Sequence, residues 1–210
     1  MTERGTNAYK HHRDVPPLVA RAVRTARAAG FAFSCRPEQG RLLHALAGGA
    51  TAAIAETGTG CGVGLAWLAA GAGPGVRLVS VERDAERAAL AAGLFADDAR
   101  VTVLHGDWPA ITPHGPYDLL VLDGGGQGKT PGDTPADPRA LLTPHGTVAI
   151  DDFTPATTWP PTHEGAVDHA RLHWLTHPAL SATELRLAPD LATVVGTRRG
   201  EDLSGRSCCS

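Results

Sequence analysis

Residues 52–64 read Ala-Ala-Ile-Ala-Glu-Thr-Gly-Thr-Gly-Cys-Gly-Val-Gly, and the apolar segment Leu65-Ala66-Trp67-Leu68-Ala69 follows directly. An apolar run ends in the acid Glu56. Glycines 58, 60, 62 and 64 then alternate with small residues, and a helical pattern begins after Gly62. This is the order of a strand, a tight turn and a helix N-terminus, where backbone N–H groups can approach a ligand closely. Glycines alone would read as a plain turn. Acid, turn and helix together point to a nucleoside-containing ligand.

Outward from this loop the chain alternates between strand and helix. After the strand Ala52–Glu56, strands are expected at Val76–Glu82, Arg100–His105, Tyr117–Asp123 and Thr147–Asp152. Tyr117–Asp123 (YDLLVLD) is nearly continuously apolar, as a parallel strand buried on both faces should be. Helices are expected after Gly62, from Asp84 to about Phe95, around Pro138–Leu142 and from about Glu164 to Thr176. Thr183–Ala188 and Leu191–Thr197 read as a terminal hairpin across Pro189-Asp190, and the Pro- and Thr-rich residues 154–163 as a loop. Upstream, Leu18, Val19, Ala22, Val23 and Ala26 recur at helical spacing, and a short helix follows Pro37. Residues 1–14 show no such pattern and are expected to be mobile. The fold class is α/β: a Rossmann-like sheet, mostly parallel with a C-terminal antiparallel hairpin and helices on both faces. Residues 1–34 read as an N-terminal helical lid or extension, 35–200 as the domain proper and 201–210 as a tail.

The 210 residues carry a formal net charge of −3 with scattered arginines, so a nucleic-acid partner is not expected. No segment approaches the roughly 20 apolar residues of a membrane span, and Met1–Asp14 lacks a signal-peptide core. The expectation is a cytoplasmic protein without a membrane partner. Cys35, Cys61, Cys208 and Cys209 have no metal-ligand spacing and read as reduced thiols. Cys61, at a helix N-terminus, is expected to have a lowered thiol pKa, although packing by a small apolar side chain is the plainer role.

The charge of the loop bears on the ligand. Val63 occupies the third glycine position of a dinucleotide fingerprint, and Glu56 would repel a pyrophosphate with no loop Lys or Arg to offset it. A ligand bearing an ammonium or sulfonium group would gain from Glu56, which favours S-adenosylmethionine over NAD. Glu82 ends the second strand, where an acid can accept hydrogen bonds from both ribose hydroxyls. Asp107 can accept from an adenine amine and Trp108 can pack on the ring, with a simple turn as the alternative for Asp107. The candidate cofactor residues are thus Glu56, Gly58, Gly60, Gly62, Glu82, Asp107, Trp108 and Asp123.

Together these pieces resemble the class I S-adenosylmethionine-dependent methyltransferases over about residues 35–197. The E-x-G-x-G-x-G loop at 56–62, Glu82 with Asp84, Gly106-Asp107 and YDLLVLD at 117–123 occur in the family's order. The segment Phe33-Ser34-Cys35-Arg36-Pro37-Glu38-Gln39-Gly40-Arg41-Leu42-Leu43 is similar to one in the small catechol and caffeoyl-CoA O-methyltransferases. The resemblance implies methyl transfer to a hydroxyl of a small-molecule acceptor. It also implies a divalent cation, Mg²⁺ by the hardness of its oxygen ligands, on Asp123, Asp151 and Asp152.

Two departures stand out. Gly124-Gly125-Gly126-Gln127-Gly128-Lys129 replaces the family's acid and nearby lysine after the fourth strand. Adjacent Asp151 and Asp152 would face opposite ways on a continuing strand, so both reach one metal only if the chain turns there. Asp123 and Lys129 are the candidate catalytic residues, Lys129 as a general base if burial lowers its pKa and otherwise as an exposed loop lysine. Trp159, His163, His11 and His12 are candidate pocket or lid residues. His169, His173 and His177 share helical spacing without a carboxylate motif. The apolar N-terminal helix can serve a homodimer. The alternatives are N- or carboxyl-methylation, other cofactor chemistry on this fold, an NAD(P)-dependent oxidoreductase, or a cofactor-binding protein without catalysis.

Overall fold

The computed structural model describes residues 5–12 and 14–200. Five strands, β1 (Ala53–Thr57), β2 (Arg77–Glu82), β3 (Val101–His105), β4 (Tyr117–Leu122) and β5 (Leu142–Phe153), pair in parallel in the order β3-β2-β1-β4-β5. The hairpin of β8 (Leu180–Ala188) and β9 (Leu191–Arg198) then extends the sheet through an antiparallel β5–β9 pair. Strand order reverses between β1 and β4, and the crevice beyond the carboxyl ends at such a switch point is where open α/β sheets bind ligands.

Both faces of the sheet are covered, which is why its inner strands are apolar without alternation. Along β1, Ile54 faces one layer while Ala53 and Ala55 face the other. The first layer holds α2 (Pro17–Ala28), α3 (Pro37–Ala47), α4 (Val63–Gly71) and α5 (Ala85–Leu94), contributing Val19, Leu43, Leu65, Trp67 and Leu94. The second holds α6 (Pro138–Leu141) and α7 (His169–Thr176), contributing Leu141 and the fully buried Trp174.

Three expectations are corrected. Residues 5–12 are not loose: α1 (Gly5–Ala8) and a single 3₁₀ turn (Tyr9–His11) tuck Tyr9 into the core. Its hydroxyl donates to the Cys35 carbonyl at 2.9 Å and accepts from Trp67 Nε1 at 2.8 Å. Tyr9 and the buried Thr6, whose hydroxyl donates to the Phe31 carbonyl at 2.6 Å, anchor a segment too short to show periodicity. The helix expected from Glu164 begins only at His169, because a small hairpin of β6 (Thr162–His163) and β7 (Ala166–Val167) precedes it. Asp168 starts that helix, its carboxylate accepting from the Arg171 backbone N–H at 3.0 Å. Strand β5 is longer than Thr147–Asp152 at both ends. The tail with Cys208-Cys209, together with residues 1–4 and Arg13, lies outside the described residues.

Candidate active site

The glycine loop turns out of β1 on three left-handed residues, Gly58, Gly60 and Gly62, at φ 83°, 53° and 87°. Gly58 has a second constraint. A Cβ there would lie 2.6 Å from Gly124 Cα, and one on Gly124 would lie 2.3 Å from Gly58 Cα. The loops after β1 and β4 therefore touch backbone to backbone, which brings Asp123 beside the glycine loop. Thr57 Oγ1 fixes the contact by donating to the Gly125 carbonyl at 2.9 Å.

Glu56 is buried beneath the start of α4. Ser80 Oγ donates to its Oε2 at 2.7 Å and lies 2.6 Å from Thr59 Oγ1, while Oε1 closes on Gly64, whose Cβ it would meet at 2.3 Å. Burial pushes the carboxyl well above the usual range, and the nearby carboxylates Asp123, Glu82 and Asp151 add to the rise. Glu56 is thus a buried group beside Gly64 and does not line the groove itself.

Glu82 ends β2 with both carboxylate oxygens engaged. Oε2 accepts from Gly60 N–H at 2.8 Å; Oε1 accepts from Asp84 N–H at 2.9 Å and from Arg87 Nη2 at 2.9 Å. Sequence reasoning missed Arg87. Its signal was the N-cap Asp84, which places a first-turn arginine back over the strand end. Arg87 also covers the Phe31 ring, 5.3 Å from its centroid. Glu82, Arg87, Phe31, Phe33, Asp107 and Trp108 line a groove of 270 Å³, with Gly58 and Gly124 at its base. Asp107 is exposed and accepts from Trp108 N–H at 2.8 Å, so the turn role holds and leaves its second oxygen to the groove. Trp108 packs against Gly125 and Gly126.

At the far side of the switch point, β5 carries an extra residue relative to β9: Ile150 pairs with Val194, but Phe153 pairs with Ala192. Asp152 occupies this bulge at φ 70°. The turn that sequence alone could only make a condition is present, and Asp123, Asp151 and Asp152 all line one cleft with Cys35, Arg36 and Gln39. Burial pushes Asp123 up to about 7, with Asp151 adding to it, and pushes Asp151 up to about 6 against the opposing pull of Lys129.

Lys129 is not an exposed loop lysine. Asp133 accepts from Gly126 N–H at 2.8 Å and Gly128 N–H at 2.7 Å, and Gln127 Nε2 donates to the Leu122 carbonyl at 2.7 Å. These bonds fold the glycine-rich stretch so that the lysine, though further along the chain than in the resembling family, points inward. Its Nζ donates to the carbonyls of Asp151 and of Asp152, the latter at 2.9 Å, and lies 3.8 Å from the Phe153 ring centroid. Burial lowers its pKa to about 8, opposed by Asp151 and Asp123.

The metal expectation does not fit this arrangement. Among the described residues no three His, Cys, Asp or Glu side chains are set to hold a metal ion. Asp151 Oδ1 accepts from Asp152 N–H at 2.7 Å, and the cleft between the carboxylates is only 10 Å³. That is about one water molecule, whereas Mg²⁺ usually keeps several of its waters.

A cavity of 380 Å³ opens on the other side of Lys129, lined by Asp152, Phe153, His163, Val167, His169 and Arg171 among others. His163 and His169 thus reach a pocket, while Trp159 is 69% exposed and lines none of these cavities. Arg171 is buried against Asp168 and Glu184 at 3.1 and 3.0 Å. His173 and His177 pair with each other and with Trp174 as rings rather than as metal ligands. Cys61 is buried, and desolvation raises its thiol pKa despite nearby Arg87, contrary to the lowering expected at a helix N-terminus.

This site lies where comparison with known proteins places a methyltransferase domain: the family of that description matches residues 55–153. Solved structures share the fold over nearly the whole chain. The cofactor-bound Rv0187 from MTB is 23% identical with a TM-score of 0.73, covering 91% of this chain and 94% of its own. An O-methyltransferase from Bacillus cereus in complex with SAH is 20% identical with a TM-score of 0.68, covering 92% and 96%. The O-methyltransferase TomG from Streptomyces achromogenes, in complex with SAM, has the same identity and TM-score, covering 93% and 96%. No curated protein matches the chain. The chain thus matches a methyltransferase-domain family over residues 55–153 and shares its Rossmann-like fold with solved O-methyltransferases, in line with the resemblance in its motifs.

Proposed function

We propose that this protein transfers the methyl group of S-adenosylmethionine to a hydroxyl of a small-molecule acceptor. The observation that carries the reading is the chain of three adjoining spaces at the switch point. Phe33 is shared by the nucleoside groove and the carboxylate cleft, and Asp152 by the cleft and the 380 Å³ cavity. Donor and acceptor would thus meet over Asp123 and Lys129.

The glycine cradle and groove fit the cofactor. Gly58, Gly60 and Gly62 leave no side chain between backbone and ligand. Glu82, held in place by Arg87, offers its carboxylate to ribose hydroxyls, and Trp108 with Asp107 flanks the base. Glu56 and Asp123 favour the cofactor's positive charges. When bound, S-adenosylmethionine supplies an electrophilic methyl on a sulfonium. Lys129, with a pKa near working pH, takes the acceptor hydroxyl's proton as the oxygen forms its bond to the methyl carbon and the carbon–sulfur bond breaks. Asp123 hydrogen-bonds and orients that hydroxyl, and Phe153 offers a flat apolar wall to the acceptor.

The test is incubation with S-adenosylmethionine and a panel of phenols, catechols and aliphatic alcohols, followed by mass spectrometry. A methyl ether formed together with S-adenosylhomocysteine is expected. Methylation of amines or carboxylates in preference to every hydroxyl would contradict the acceptor assignment.

A further inference from the structure

We infer that the carboxylate cleft receives the amino-acid end of the cofactor, with Gln39 accepting from its ammonium and Arg36 donating to its carboxylate. The inference rests on the S-adenosylmethionine reading above and adds two binding residues, from α3 and the residue that caps it.

Two polar atoms of the residues lining this cleft are left over by the fold. Gln39, in the first turn of α3, is fully buried, and its Oε1 has no hydrogen-bond partner among the described residues. The amide cannot correct this by turning over. Its Nε2 faces Thr193 Oγ1 at 3.5 Å, and that hydroxyl gives its own proton to the Ile150 carbonyl at 2.8 Å, so toward Gln39 it can only accept. Arg36, the N-cap of α3, is held at both ends of its guanidinium: Nη1 donates to Asp190 at 2.9 Å and Nη2 to Glu38 at 3.4 Å. Its Nε is buried and unpartnered among the described residues. Ser34, on the same cleft, is satisfied by contrast, its hydroxyl 2.7 Å from Thr6 Oγ1. Glu38 Oε2 is also left over, but Glu38 does not line the cleft.

Leaving a buried polar atom unpaired is costly, so a ligand that pairs both atoms gains from each. It must bring a donor and an acceptor close together, and positive charge to meet Asp123 and Asp151. The α-amino-acid end of S-adenosylmethionine has all three. An ammonium group is about the size of a water molecule, which is what the 10 Å³ cleft admits. The charge of Arg36 opposes it little, because Glu38 and Asp190 are paired with the guanidinium. Phe33 lines both the cleft and the nucleoside groove, so a cofactor with its ribose at Glu82 has the cleft within its reach.

Titration calorimetry on the whole chain tests this with two ligands, S-adenosylhomocysteine and 5′-methylthioadenosine, which keeps the nucleoside and sulfur but lacks the amino-acid end. Gln39→Met removes the acceptor at nearly the same volume, and Arg36→Lys keeps the charge but removes Nε. Each should weaken S-adenosylhomocysteine about ten- to a hundredfold and leave 5′-methylthioadenosine within about twofold. A merely structural role would weaken both ligands alike, and equal losses would overturn the inference. So would unchanged S-adenosylhomocysteine affinity in either variant. Weaker binding of tyramine, an amine-bearing phenol, in such a Gln39→Met protein would give the cleft to the acceptor instead. Where Gln39→Met does not fold, as a thermal melt shows, Arg36→Lys decides by the same comparison. Failure of both ligands to bind the wild type is a separate result: it would overturn the S-adenosylmethionine reading and this inference with it.

Discussion

At the scale of single residues, the candidate site depends on a few side chains held by named partners. Glu82 is held by Gly60 N–H, Asp84 N–H and Arg87, so it is already aimed before any ligand arrives. Charge-assisted hydrogen bonds contribute about 1.5–3 kcal/mol each. Glu82→Ala should therefore weaken S-adenosylhomocysteine binding by about a hundredfold in a calorimetric titration, and binding within threefold of wild type would remove Glu82 from the site. Lys129 is the base of the proposed reaction. Lys129→Met should lower kcat by about 10²–10⁴-fold while leaving cofactor affinity nearly unchanged. Because burial depresses its pKa to about 8, kcat/KM in the wild type should rise with pH as the amine loses its proton near that value, and the rise should vanish in the variant. The position of Glu82 was legible because it closes an apolar run that reads as a strand. The sequence could not decide the placement of Lys129, which depends on Asp133 and Gln127 folding the loop between them.

Among the elements, the β1 and β4 loops meet backbone to backbone. Gly58 and Gly124 meet with no space for a Cβ on either, and Gly58 is also left-handed. Gly58→Ala should destabilise the fold by about 2–4 kcal/mol and lower cofactor affinity with it, as a thermal melt with and without S-adenosylhomocysteine would show. The alternating strands and helices from Ala53 to Val194 were legible because burial on both faces leaves a nearly continuous apolar signature. Two segments were not. Residues 5–12 are fixed by the Tyr9 hydroxyl bonded to Cys35 and Trp67 and by buried Thr6 bonded to Phe31, Ala32 and Ser34, tertiary contacts without periodicity. The 162–167 hairpin is two residues per strand and wholly exposed, too short for alternation to register. The β5 bulge was likewise hidden, since nothing in Ile-Asp-Asp-Phe marks which residue takes a positive φ.

For the whole molecule, the buried carboxylates set stability against function. Asp123 and Asp151 ordinarily titrate near 3.8 and are raised in the fold to about 7 and about 6. The folded state thus holds protons that the unfolded state releases, so stability should fall as pH rises from about 4 to about 7. Asp123→Asn should remove part of that penalty and raise the melting temperature at pH 8, where each kcal/mol gained is about 2–4 °C for a chain of this size. The same change should abolish most activity, and a melting temperature unchanged at pH 8 would show that the carboxylate is not strained. The account as a whole rests on the switch-point groove being a site for S-adenosylmethionine rather than a dinucleotide. The most direct measurement is a calorimetric titration of the wild-type protein with S-adenosylhomocysteine and, separately, with NAD⁺. One S-adenosylhomocysteine per chain and no measurable heat with NAD⁺ is the predicted result; saturable NAD⁺ binding without S-adenosylhomocysteine binding would contradict it.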